Sequence, residues 1–319
     1  MSRKLSSCQK LERSVLETLL YFWTEKKPLF LGEIEYFLIR SQKNGPTFDS
    51  LRKALDDLSE KGLIIQKKGF YLPKVPGEKN FSWLSQTNRI KEAHKRIELT
   101  AKALRWLSKI KMIKEIYLCG SVAGRNCSEQ SDIDLLILTN QNRAWSTRFW
   151  LTLGAWLFGR KKKDGQPRKN RFCLNHYRDL KHLKLEKPLK DLYSTKEYLQ
   201  MIRLFGSSTQ KCPFLEVNQF WIKKFIIQAS KFKPALFTQP LPKKRFVKFN
   251  FLGQKIETLL RLIQINKVNL AGKSETIKLD RSRIILENGV IMFHLNPKSP
   301  LIAQRFAHLK NKFLAFKNE

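Results

Sequence analysis

Two aspartates, Asp132 and Asp134, stand one residue apart at the entrance to the apolar run Ile133 to Thr139, and a Gly-Ser pair, Gly120 and Ser121, closes the apolar run before it. Side chains alternate across an extended strand, so the two carboxylates share one face, about 7 Å apart along the backbone, while Ile133 and Leu135 point into a core. Ionised carboxylates this close repel each other unless a cation sits between them. Mg2+ takes oxygen ligands of this kind, keeps several waters and recruits substrate phosphates for the rest of its shell. Gly120 permits a sharp turn off its strand, and Ser121 opens a short helical turn whose N–H groups and hydroxyl can hold phosphate oxygens. Either half alone is weak; the conjunction of strand, Gly-Ser, the gap from Val122 to Ser131, and Asp-Ile-Asp running into a buried strand is specific.

On these residues the stretch Ile116 to Thr139 closely resembles the nucleotidyltransferase superfamily that includes DNA polymerase beta, and residues 88–205 resemble it in outline. The resemblance implies an NTP substrate with its phosphates on Gly120 and Ser121, assisted by Arg125 and Ser131, and Mg2+, two ions in such sites, held by Asp132 and Asp134. An acceptor hydroxyl would attack the α-phosphorus and pyrophosphate would leave, a reaction carried by positioning and charge neutralisation. The superfamily also places a third carboxylate on the next strand. Here "RFCLNHYRDL" offers Asn175 and His176, with Asp179 at or beyond the strand's end, so the third position falls to Asn175 only if that residue, and no carboxylate, occupies it. Asn can lend a carbonyl oxygen to a metal but cannot accept a proton; activity would be weak, lost, or dependent on Asp179 or Glu186. His176 could act as a base near neutral pH, although one histidine on a strand is more often structural.

Elements must hold these residues in place. Apolar residues Leu11, Val15, Leu16, Leu19, Leu20 and Trp23 recur at helical spacing over 10–24, a shorter helix fits from Leu31, and a third opens at Thr47 and stops at Gly62. Two short strands around a Lys-Lys-Gly turn follow, and the order resembles a winged helix-turn-helix over residues 1–75. DNA binding and intramolecular docking are its two readings; Asp49, Asp56, Asp57 and Glu60 on the third helix oppose phosphate contact. Residues 76–86, with Pro76 and Gly77, read as a linker. A helix over 88–111, strands ending at Gly120, starting at Ile133 and spanning 171–177, and a helix over 142–159 form a nucleotidyltransferase core at 87–210. Segments 195–205, 213–231, 249–266 and 299–317 read as helices, making 211–319 a mostly helical C-terminal region. The fold class is α/β (α+β): a small mixed sheet with helices on it.

The 319 residues carry 62 Lys and Arg against 27 Asp and Glu, net +35. Residues 1–80 contribute 15 basic and 10 acidic side chains, which leaves +30 on the remainder. A polyanionic partner, RNA or DNA, fits that balance, with RNA or tRNA the first acceptor to test. The run "RKKKDGQPRKNR" at 160–171 and "PLPKKRFVKF" at 240–249 read as a solvated loop and a connector, with phosphate contact as the alternative. Trp145, Trp150 and Trp156 read as core, with base stacking as the alternative. Five scattered cysteines without a C-x-x-C pair read as thiols in a reducing cytoplasm. Charges at Glu12 and Arg13 argue against an export signal, and "FWLTLGAWLFG" is too short to span a bilayer, so no stable membrane insertion is expected. The alternative to an enzyme is a catalytically silent nucleotidyltransferase fold that binds nucleic acid as a regulator.

Overall fold

The computed structural model describes residues 6–39, 45–77, 81–104, 110–157, 170–206, 211–226, 235–236, 251–274, 283–294 and 298–316. Most of the basic run 160–171 and all of 240–249 lie outside them.

The first part runs α1 (Ser7–Trp23), β1 (Leu29–Phe30), α2 (Leu31–Tyr36), α3 (Phe48–Glu60), β2 (Ile64–Lys67) and β3 (Phe70–Pro73). Ser6 caps α1 and Thr47 caps α3 by accepting from Gln9 N and Ser50 N. The hairpin β2–β3 turns through Lys68 and Gly69, both at positive φ, and β1 adds to its β3 edge to give the order β1-β3-β2. The short strand β1 is an element that periodicity does not reveal, because two residues carry no period.

The second part contains α4 (Trp83–Ala103), β4 (Ile113–Cys119), α5 (Gly120–Ala123), β5 (Ile133–Thr139), α6 (Ala144–Leu157), β6 (Phe172–Asp179), α7 (Leu192–Leu199), β7 (Ile202–Phe205), α8 (Pro213–Ile222), β8 (Ala235–Leu236), α9 (Phe251–Ser274), β9 (Arg283–Glu287), β10 (Val290–His294) and α10 (Ser299–Phe316). Seven strands form one mixed sheet in the order β8-β7-β4-β5-β6-β10-β9. β4 and β5 are antiparallel and β5 and β6 parallel, so the C-terminal end of β4 and the N-terminal ends of β5 and β6 meet at one edge of the sheet. Three differences from the sequence reading have physical causes. Ser82 accepts from Ser85 N and starts α4 inside the expected linker. Residues 202–205, expected to be helix, form β7, buried along its whole length; a short apolar run has no period to separate strand from helix. The Asn288-Gly289 turn, with Gly289 at positive φ, closes the β9–β10 hairpin and gives the C-terminal region two more strands of the main sheet.

The sheet's two faces belong to different clusters. Ile133, Leu135 and Ile137 pack with Ala93 and Ile97 of α4 and Trp145, Leu151 and Ala155 of α6. Leu136 and Leu138, which share the parity of Asp134, pack in a cluster that contains Leu19, Phe22, Leu29 and Leu55 of the N-terminal elements, Tyr198 of α7, Phe214 of α8 and Phe313 of α10. The N-terminal elements therefore share one hydrophobic cluster with the face of the sheet on which Asp134 lies.

Candidate active site

Gly120 leaves β4 at φ +68°, a left-handed conformation that side chains resist, and a Cβ there would collide with Oδ2 of Asp134. The glycine thus supplies both the turn and the room for the carboxylate across the strand pair, where Cys119 is the register partner of Asp134. Ser121 sits half-buried in α5, and its carbonyl accepts from Asn126 N at 2.9 Å. A second close approach occurs at Gly124, where a Cβ would lie 2.8 Å from Oε1 of Gln200. Gln200, just past α7, donates to the Gly120 carbonyl at 3.3 Å and to Glu197 at 3.0 Å, tying α7 to the turn.

The loop from α5 to β5 is anchored from α4. The fully buried Arg96 guanidinium donates to the Ser131 carbonyl and, at 2.5 Å, to the Glu129 carbonyl, and pairs with Glu92 at 2.8 Å. Ser131 Oγ accepts from Ser128 N at 3.0 Å, so this serine shapes the loop that delivers Asp132. Arg125 follows α5 at φ 53° with an exposed side chain.

Asp132, Asp134 and Cys173 present ligand atoms that all lie within 4.8 Å of one another. Burial, and next the charge of Asp132, push the Asp134 carboxyl up to about 6; a hydrogen bond from the Cys173 thiol and the charge of Lys298 work against that rise, and Glu197 adds to it. A mutually repelling carboxylate pair at a sheet edge, with a third donor beside it, fits a divalent cation, which would be held by Asp132 and Asp134.

The register partner of Asp134 on β6 is Cys173, and Asn175 lies two residues further on, in the stretch where the register shifts between Asp134 and Leu136. His176 is buried, accepts from Arg178 Nε at 3.4 Å and packs near the Tyr198 ring. Asp179 ends β6 at the opposite end of the sheet, where its carboxylate accepts from Asn142 N at 2.8 Å, Lys181 N at 2.9 Å and His182 N at 3.0 Å. Glu186 pairs with Arg178 at 2.5 Å. Neither carboxylate is brought to the aspartate pair. Trp145 is fully buried, its indole donating to the Glu287 carbonyl at 3.2 Å, whereas Trp150 and Trp156 are exposed on the layer covering the opposite face of the sheet from the aspartates.

Three groups near the site escape sequence inspection. Glu197, on α7, is close enough to raise Asp134, and is itself raised mainly by burial. Lys196 pairs with Glu25 at the end of α1 and with Glu197 at 3.4 Å. Lys298 lowers Asp134, Glu25 and Glu197 together, and Ser299 beside it donates to the α7 cap Asp191 at 2.5 Å. The cap residues at Asp191 were the only local signal available, and they mark a helix rather than a site.

Residues 97–193 match the family model of the nucleotidyltransferase domain. No curated protein and no solved structure matches the chain. Domains of this family are transferases that generally use a divalent metal and a nucleoside triphosphate for nucleotidyl transfer. The Gly120–Ser121 turn and the aspartate pair at the mouth of β5 fall within the matched segment, so residues 97–193 are identified as a nucleotidyltransferase domain, a match that supports the superfamily that includes DNA polymerase beta.

Proposed function

We propose that the protein is a cytoplasmic nucleotidyltransferase that moves a nucleoside monophosphate from an NTP to a hydroxyl of a polyanionic acceptor, RNA or tRNA first among them. The observation that carries this reading is the convergence of Asp132 and Asp134 beside a glycine whose missing Cβ makes room for the second of them. Asp132 and Asp134 would hold Mg2+, which when bound offsets phosphate charge and lowers the barrier to in-line displacement. Ser121 orients a phosphate at the turn, and Gln200 and Arg96 fix the two loops so that turn and carboxylates keep their spacing. Lys298, exposed and facing Asp134 and Glu197, and Arg125 are cations placed to receive the triphosphate. The +30 carried by residues 81–319 favours a nucleic-acid acceptor, and the N-terminal elements, read as a winged helix, are proposed to dock within the chain, since their core is shared with the sheet.

Incubation with Mg2+, each α-labelled NTP and total RNA tests the reading. Label should enter an acceptor with wild type and fall to background with Asp132→Ala plus Asp134→Ala; transfer surviving the double change would remove the site from these residues. Absence of transfer with every acceptor, together with salt-sensitive RNA binding, would favour a silent nucleic-acid-binding regulator instead.

A further inference from the structure

We propose that Cys173 is a ligand of the metal centre, binding as a thiolate, so that one of the ions held by Asp132 and Asp134 is a thiophilic divalent cation of the Zn2+ class, beside the Mg2+ of the triphosphate. The inference rests on the reading of the aspartate pair as a nucleotidyltransferase centre, with Mg2+ arriving on the triphosphate.

Three observations converge on this sulfur. The parallel register sets Cys173 directly beside Asp134, on the neighbouring strand that the resemblance expects to carry the third carboxylate. Its sulfur joins the two carboxylates within 4.8 Å, and its thiol donates to Asp134. Cys173 is buried yet belongs to neither hydrophobic cluster, while its neighbours Phe172 and Leu174 are members of one, and Cys127 and Cys212 are packed within the clusters. A thiol used for packing faces apolar atoms; this one faces charge. The carboxylates that might have replaced it, Asp179 and Glu186, are engaged elsewhere.

The chemistry separates this centre from an all-oxygen one. Mg2+ is a hard ion that accepts thiolate poorly, whereas thiolate in a mixed shell favours softer ions. On binding, the S–H bond gives way to a metal–sulfur bond and the proton leaves to solvent, with no change of oxidation state. The carboxylate-for-thiol exchange therefore alters which ion the site retains while keeping two of its donors.

Full-length protein carrying Cys8→Ser, which removes the exposed thiol beside Glu12 and Asp57, is titrated with Cd2+ while thiolate-to-metal charge-transfer absorption and calorimetric heat are recorded. The band should appear, should be lost on adding Cys173→Ser with affinity falling ~10-fold or more, and should be displaced by Zn2+ but not by Mg2+ at equal concentration. Asp132→Ala plus Asp134→Ala should abolish it as well. A conservative Cys173→Asp variant, which keeps a donor, should bind Cd2+ without the band and shift the ion preference of transfer toward Mg2+. No band in the parent protein, or a band that survives Cys173→Ser, overturns the proposal. Heat that needs the aspartates without any band overturns Cys173 as ligand and leaves the aspartate site standing. A Cys173-dependent band in a protein that transfers no nucleotide supports the ligand and removes the transfer reading.

Discussion

Asp134 faces two oppositions at once: burial and the neighbouring Asp132 both disfavour its charge. Its folded pKa, about 6, lies above the ordinary carboxylate value near 3.9, so the metal-free folded protein holds an extra proton between roughly pH 4 and 6. The stability contributed by that proton is complete below about pH 4 and lost as pH rises through about 6, at most about 3 kcal/mol. Asp134→Asn should flatten this dependence, giving a higher Tm than wild type at pH 7 in chelator, and abolish metal binding; a wild-type Tm that does not fall relative to the variant between pH 4 and 7 would contradict it. Gly120 permits a sharper substitution. Alanine there meets positive φ and collides with Asp134, so Gly120→Ala should cost about 1–3 kcal/mol in urea unfolding and weaken divalent-ion binding. Both aspartates and the Gly-Ser turn were legible in the sequence because period and spacing are local. Cys173 was not, since its place beside Asp134 depends on a parallel register and on the shift before His176, and neither can be counted along a single chain.

At the scale of elements, α7 is the part that joins the turn to the N-terminal helices. Its Lys196 side chain is nearly fully buried between Glu25 and Glu197, its Gln200 end holds the Gly120 carbonyl, and Tyr36 of α2 donates to the Leu199 carbonyl at 2.9 Å. Removing one member of a buried ion pair strands the other charges, so Lys196→Met should destabilise by about 3–5 kcal/mol. Changing Glu25→Gln as well should recover part of that loss, and a double-mutant cycle by chemical denaturation measures the coupling. Additive losses would place Lys196 in packing alone. The helices and strands that carry long periods, α1, α3, β4 and β5, were readable before the fold was known. β7 and the β9–β10 hairpin were not: the first is four residues of uninterrupted apolar sequence, and the second turns on an Asn-Gly pair easily passed over between helical stretches.

At the scale of the molecule, the separation into an N-terminal unit, a linker and a core that composition suggests meets a hydrophobic cluster that runs through all of them. Leu19, Phe22 and Phe37 share it with Leu136, Leu138, Tyr198 and Phe313, and the Tyr21 ring meets Phe306 of α10 edge-on at 5.2 Å. Polar ties cross the same boundary: Lys310 of α10 pairs with Glu17 at 2.9 Å, and Asn126, beside the Gly120–Ser121 turn, donates to the Glu25 carbonyl at 2.9 Å. Among the described residues no helix is long and apolar enough to cross a membrane. Full-length protein should therefore melt in one calorimetric transition that includes tryptophans on both sides of the boundary, Trp23 in α1 and Trp145 in α6. A fragment of residues 76–319 should lose that transition and bind an apolar dye, because the cluster that Leu136, Leu138 and Tyr198 share with Leu19, Phe22 and Phe37 would be cut open. Two separated transitions in the full chain, with the higher one unchanged in the fragment, would mean that the N-terminal elements are an appended unit and that docking against α7 leaves the nucleotidyltransferase domain's stability untouched.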